Sequence, residues 1–397
     1  MSAPLEPAEG AILSGVTPGG GPDGARAFME VTGQESVAVA GVFSGFVNAE
    51  SLARPLRQSD ELSAVAGHDI TMVSWRMLAA DTTAGFSGVQ DPSLPGGTLA
   101  SVAAGDVDED LVTAARQIEE HDRPVMLRPN WEMNAPWFPW GAFERAADGA
   151  GPRPGNSPAD YRAAWIRARI VFEGGAPAAV DAELREHGLP PLAADARPEE
   201  LPSPDEVAWV WAPVDGAAQP PSAPHVTADY YPGDEWVDWV GLDWYQDGDA
   251  DVADQTAGAS TATDPLAPID AFYAEYAGEH GKPIALTEWG LTAPPRGSGD
   301  DPDWMADALA WVREHPRVKA LVYFDYDASD ADHRLTEFPR SAEIYRREVA
   351  GERWIGGRAP ADDAPPAGAL LAVVAVAVVA AGAGLWWMLR RRRAGGQ

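Results

Sequence analysis

The chain has 397 residues, 45% of them apolar, enough to bury the core of one large α/β domain. Asp and Glu number 61 against 29 Lys and Arg, a formal charge of −32, and such a surface repels nucleic-acid phosphates. Cysteine is absent, which excludes disulfides, thiolate metal sites and a cysteine nucleophile.

Residues 1–35 are rich in Gly and Pro and read as an irregular lead-in. Apolar runs then predict strands at Ser36–Phe43 and Asp69–Trp75, with a weaker third at Thr98–Val102. Asp108–His121 predicts a helix: Leu111, Ala114, Ala115 and Ile118 recur at helical spacing, and Asp108 is placed to cap it. A fourth strand follows at Pro124–Trp131. Ser157 and Pro158 then open a helix that runs to about Phe172. Residues 173–206 read as an insertion at the bottom of the domain, with a short helix over Ala179–His187. Four more strands are predicted at Val207–Pro213, Val237–Tyr245, Ile284–Glu288 and Ala320–Asp325. Six of the seven histidines, His68, His121, His225, His280, His315 and His333, show no metal-ligand spacing, and most are expected on loops and the surface. The aspartates of Asp247–Asp254 lack the glycine and glutamate of an EF-hand loop, so a solvated acidic loop is expected there rather than a calcium site.

The C-terminal end differs in character. Residues 355–366 form a linker, and Ala367–Leu389 is an uncharged apolar run long enough to cross a membrane as a helix. Trp386 and Trp387 stand where an interfacial aromatic belt would, and Arg390–Arg393 follow within a basic tail, 390–397. The positive-inside rule puts that tail in the cytoplasm and the folded domain outside, as a single-pass cell-membrane protein. The first nine residues show no basic stretch followed by an apolar run, so no signal peptide is legible in them.

Chemistry concentrates at three strand ends. The first is Arg128-Pro129-Asn130-Trp131-Glu132-Met133-Asn134-Ala135-Pro136-Trp137-Phe138-Pro139-Trp140, a carboxylate among aromatic rings. The second is Tyr230-Tyr231-Pro232-Gly233-Asp234, running on through Val237-Asp238-Trp239-Val240-Gly241-Leu242-Asp243-Trp244-Tyr245. The third is Thr287-Glu288-Trp289-Gly290. Two glutamates at strand ends beside tryptophans suit glycoside cleavage, in which an acid protonates the glycosidic oxygen and aromatic faces stack on pyranose rings. Ionisable groups at several strand ends also fit a (β/α)₈ TIM barrel, whose reactions occur at the C-terminal ends of its strands. The barrel is expected over residues 36–354.

Together the three motifs resemble glycoside hydrolase family 26, a retaining family of clan A barrels, over most of residues 36–348. The resemblance implies Glu132 as general acid/base and Glu288 as nucleophile. It implies that Tyr245 orients the nucleophile, that Trp137 and Phe138 line the sugar site, and that Phe324 lies under the reacting sugar. Trp131 stands where the family usually has His, beside the acid/base, and Ala135-Pro136 replaces an expected glycine. With Trp131 and Trp289 counted as sugar contacts, the expected function is a retaining, endo-acting β-glycosidase. β-1,4-Mannan or glucomannan is the first substrate, with mixed-linkage β-1,3-1,4-glucan and β-1,3-xylan as alternatives. Trp75, Trp140 and Trp244 are further candidate stacking platforms. No cofactor or metal is required, the partners are the polysaccharide and the membrane, and a monomer is expected. The rival readings are a catalytically silent surface glycan-binding protein, which Trp131 favours, and an adhesion ectodomain.

Overall fold

Eight parallel strands close into a barrel in the computed structural model, which describes residues 2–45, 48, 51–79, 91–146, 149–214, 225–246, 266–329 and 331–356. The strands are β1 (Ile12–Pro18), β2 (Val39–Phe43), β3 (Ile70–Trp75), β4 (Val125–Pro129), β7 (Val207–Trp211), β8 (Trp239–Tyr245), β9 (Ile284–Gly290) and β10 (Val318–Asp325). A hairpin outside the barrel supplies β5 (Phe143–Ala146) and β6 (Gly149–Pro152), and β11 (Trp354–Ile355) pairs with the start of β1. Closure comes from β1 against β10, in register from Leu13↔Ala320 to Pro18↔Asp325.

The first barrel strand therefore falls within residues 1–35, and α1 (Pro22–Thr32) follows it. That stretch is not an irregular lead-in. Its Gly19-Gly20-Gly21 run forms the turn that joins β1 to α1, where Gly20 and Gly21 both adopt positive φ. Gly15, Val16 and the rest of β1 are buried throughout. Thr98–Val102, expected as a strand, instead opens a helix. Thr98 caps α3 (Leu99–Ala104), its hydroxyl accepting from the Ser101 amide while the Ser101 hydroxyl answers the Thr98 amide. The missed first strand and the false third offset each other, so the expected number of strands stands with a different membership.

The helices pack outside the sheet: α2 (Ala53–Ala66), α4 (Asp108–Glu119), α5 (Pro158–Glu173), α6 (Pro177–Glu186), α7 (Ala267–Tyr273), α8 (Pro302–Glu314) and α9 (Pro339–Val349). Ser157 caps α5 through a reciprocal box with Asp160, and Pro158 opens it as the sequence predicts. Asp108 does not cap α4, whose N-cap is Val107. Its buried carboxylate instead receives Arg167 Nε and Nη2 at 2.7 and 2.5 Å and so joins α4 to α5.

Two apolar layers result. The barrel interior is filled by inward residues such as Val39, Met72, Met126, Val210, Ala285 and Val322. At its floor, Trp239 Nε1 donates to Pro4 O at 2.7 Å, and Ala3 and Leu5 pack from below. The larger layer lies between sheet and helices and takes most of the tryptophans. Two histidines are also inside: His68 and His333 are buried, against the surface expectation. Among the described residues no helix is long and apolar enough to cross a membrane. The expected membrane helix 367–389, the basic tail and the acidic stretch Asp247–Asp254 lie outside the described residues.

Candidate active site

Inward side chains at the C-terminal strand ends converge on Arg128. This residue is fully buried on β4; its Nη1 donates to Glu288 Oε1 at 2.6 Å and to Ser74 Oγ at 3.1 Å, and its Nη2 donates to Asp243. Glu132, Asp243 and Glu288 each bring a carboxylate oxygen within 4.8 Å of the others. Tyr245 donates to Glu288 Oε2 at 2.9 Å, and Trp137 Nε1 donates to Glu132 Oε2 at 2.5 Å.

Local backbone geometry aims these groups. Pairing of β8 with β9 steps from Leu242↔Leu286 to Asp243↔Glu288, which leaves Thr287 as an extra residue on β9. Such a bulge re-aims side chains, and here the Thr287 hydroxyl reaches Asp243 Oδ1 at 2.8 Å while Glu288 meets Arg128. Gly241 makes room for this arrangement, since a Cβ there would come within 2.7 Å of Ala212 Cβ and 2.9 Å of the Thr287 side chain. Past the end of β4, Asn130 and Glu132 both adopt left-handed backbone, with φ of 45° and 51°. Non-glycine residues rarely hold such angles outside over-determined sites. Asn130 is fixed by Met77 N donating to its Oδ1 at 2.9 Å, and Glu132 N donates to Ala212 O at 2.8 Å.

The charge balance sets the protonation. Three buried carboxylates face one guanidinium, whose hydrogen bonds go to Ser74, Glu288 and Asp243. Burial would lower the Arg128 pKa, yet Asp243 and Glu288 carry it above its usual value, so the cation is permanent. Glu132 is pushed well above the usual carboxylate range, first by burial and then by the charges of Asp243 and Glu288. The Trp137 hydrogen bond and Arg128 pull the other way. Asp243 is raised as well, mainly by burial, with Arg128 opposing, and Glu132 is hydrogen-bonded to it. The cluster thus keeps a proton, and Glu132, which receives no Arg128 hydrogen bond, is its seat. Tyr245, also raised by burial and by Glu288, stays a neutral donor.

Of the residues expected at the sugar, Trp137, Phe138, Tyr245 and Phe324 are half-buried around the carboxylates. Trp131 is not a platform. It is 1% exposed, wedged between Phe43, Phe138 and Trp140 with the guanidinium carbons of Arg76 and Arg128 at 5.7 and 5.5 Å from its ring centroid. Trp289 is fully buried on the outer face of the sheet against Trp304, Tyr323 and Tyr345, because Glu288 takes the inward position beside it. Trp75, Trp140 and Trp244 are likewise core residues.

Arg128, Asp243, Ser74 and Phe43 are at the site without being among the residues expected there. Arg128 and Asp243 stand inside the quoted motifs, and a charged residue at an inward position of an apolar strand is the signal that could have found them. Phe43, half-buried at the end of β2, meets the Trp131 and Phe324 rings at 5.5 and 6.3 Å. Nothing in its local sequence marks it.

The family model described as glycosyl hydrolase family 26 matches residues 203–268, the stretch that carries β7, β8, Asp243 and Tyr245. A β-1,3-xylanase from an Alcaligenes species is 22% identical over 234 residues, 58% of this chain and 36% of that protein. A β-1,3-xylanase from a Vibrio species is 25% identical over 194 residues, 48% of this chain and 29% of that protein. The match thus spans about a third of the length of these curated relatives. Among solved structures, a GH26 β-mannanase from Bacteroides ovatus superposes with a TM-score of 0.52 at 20% identity, covering 87% of this chain and 90% of that one. A modular endo-β-1,4-mannanase from Cellulomonas fimi gives 0.51 at 20% identity, covering 88% and 72%. These superpositions establish a shared barrel fold. The family-model match includes the strand of Asp243 and Tyr245, so over this stretch the chain is similar to glycosyl hydrolase family 26.

Proposed function

We propose that this chain is a retaining, endo-acting β-glycosidase with Glu288 as nucleophile and Glu132 as acid/base. The observation that carries the reading is the closeness of the two glutamates, whose oxygens lie within 4.8 Å of each other. Retaining enzymes set their carboxyl groups about 5–5.5 Å apart, whereas inverting ones leave about 6.5–9.5 Å for a water. Environment divides the roles. Arg128 and Tyr245 both donate to Glu288, while burial and neighbouring charges keep Glu132 protonated.

Glu288 attacks the anomeric carbon, and Glu132 gives its proton to the departing glycosidic oxygen. Glu132, now ionised, takes a proton from water as that water attacks C1 and releases the sugar from Glu288. Arg128 offsets charge on Asp243 and Glu288 throughout.

The substrate is a β-linked polysaccharide. β-1,4-Mannan or glucomannan is the first reading, from the motif resemblance. β-1,3-Xylan is the second, favoured by the names of both curated relatives. Because Trp131 is sealed beneath the site, its replacement of the usual His acts through packing rather than by touching sugar. We also place the barrel outside the cell, anchored by the uncharged run 367–389 and oriented by Arg390–Arg393. Reducing-sugar release from galactomannan, glucomannan, mixed-linkage β-glucan and β-1,3-xylan tests the enzymatic reading; release from none of them by the folded protein contradicts it.

A further inference from the structure

The loop that carries Trp137 and Phe138 runs from Ala135 to Ala142 without helix or strand, so no backbone ladder fixes it. It is fixed from outside by side chains, above all by Arg153. Arg153, just beyond the β5–β6 hairpin, donates from Nη1 to Phe138 O at 2.5 Å, to Phe143 O at 2.8 Å and to Gly141 O at 3.5 Å. Its Nη2 donates to Pro136 O at 3.0 Å, and its backbone N donates to Ala142 O at 2.8 Å. The carboxylate of Glu144 is 3.9 Å from Nε, with its side chain 58% exposed, so it is the weaker partner. Asn156 adds a second tie: its Nδ2 donates to Pro139 O at 2.6 Å while its Oδ1 accepts from Leu99 N at 2.9 Å, linking the loop to α3.

Within the loop so gathered, Phe138 stacks on Trp140 at 4.4 Å and 14°, and Trp140 Nε1 donates to Trp131 O at 2.6 Å. Between the carbonyls of Pro136 and Phe138, both held by Arg153, sits Trp137, whose indole N–H reaches Glu132. A guanidinium can serve several acceptors at fixed angles, which a lysine ammonium on a flexible stem cannot.

We propose that Arg153 is a positioning residue for the acid/base: by gathering four backbone carbonyls of the 136–143 loop it holds the Trp137 indole N–H on Glu132. The proposal rests on Glu132 being the acid/base. Loss of Arg153 lets Trp137 withdraw, and Glu132 then loses the donor that favours its ionised form.

The test follows Glu132 directly, in protein labelled with [δ-¹³C]glutamate, its resonance assigned by its loss in Glu132→Gln. Trp137→Phe should move the titration midpoint of Glu132 upward. Arg153→Ala should move it in the same direction, and the double variant no further than Trp137→Phe alone, because both changes remove one interaction. Arg153→Lys gives a partial shift and keeps the test open if the alanine variant does not fold. On polysaccharide, Arg153→Ala should lower kcat about 10–100-fold with little change in KM, the loss expected from misplacing a catalytic group by about 1 Å. Turnover of an activated aryl glycoside, which needs no proton, should fall less. A Glu132 midpoint unmoved in both Arg153 variants, or additive shifts in the double variant, overturns the proposal. Failure of the wild-type protein to cleave any β-glycan would overturn the functional reading instead, and the titration would still decide the role of Arg153.

Discussion

Arg128 and Glu288 meet at 2.6 Å across the barrel mouth, one from β4 and the other from β9. The strand that leads to Glu132, the proposed acid/base, thereby also supplies the cation for Glu288, the proposed nucleophile. Arg128 is fully buried and serves Asp243 as well, so removing it strands two carboxylates away from water. Arg128→Ala should destabilise the fold by ~3–5 kcal/mol, the usual cost of breaking a buried ion pair from one side. Arg128→Lys should recover only part of that, since one ammonium cannot reproduce the fork. Denaturant titration checks both, and a change below about 1 kcal/mol in Arg128→Ala would show that the cluster does not depend on its cation.

The two glutamates should fail differently. Glu288→Ala should abolish turnover of every substrate. Glu132→Ala should lose polysaccharide cleavage yet keep activity on substrates with activated aryl leaving groups, where azide should speed the second step. Equal behaviour of the two variants on both substrate types would remove the division of roles.

The alkaline limb of the pH profile should report Glu132. Its raised pKa keeps the proton to higher pH, and activity falls as pH rises through that value. After burial, the charge of Asp243 contributes most to the rise, so Asp243→Asn should make ionisation of Glu132 easier and move the limb to lower pH. A limb that stays in place or moves upward would show that Asp243 does not set the acid.

A second titration concerns stability rather than catalysis. His68 is buried beneath α2, with its Nε2 2.8 Å from Ser59 Oγ, and burial depresses its pKa from 6.5 to about 3. Between those values the unfolded chain binds a proton that the folded one refuses, so stability is full above about 6.5 and is lost as pH falls toward 3. His68→Gln should flatten this acid dependence of Tm between pH 7 and about 4. Parallel Tm curves for wild type and variant would show that His68 does not contribute.

How far the sequence foretells this molecule depends on how locally each feature is encoded. Glu132 and Glu288 are legible because each ends an apolar run and is followed by aromatic residues within one short segment. The barrel is legible because such runs alternate with helical patterns. β1 is hidden by its flanking glycines and prolines, and Thr98 disguises a helix cap as a strand start. Trp131 and Trp289 read as sugar contacts, yet which face a side chain takes is decided by the left-handed turn at Asn130 and Glu132 and by the bulge at Thr287. Neither feature leaves a periodic trace. Phe43, Ser74 and Arg153 join the site only through closure of the barrel and folding of a loop, across separations that no local pattern records.

Retention is the central claim, and the anomeric form of the first product tests it most directly. Proton NMR of early hydrolysis of the best β-glycan substrate should show the β-anomer first, with the α-anomer growing in only by mutarotation. Early α-anomer would mean direct displacement by water and would contradict Glu288 as a nucleophile.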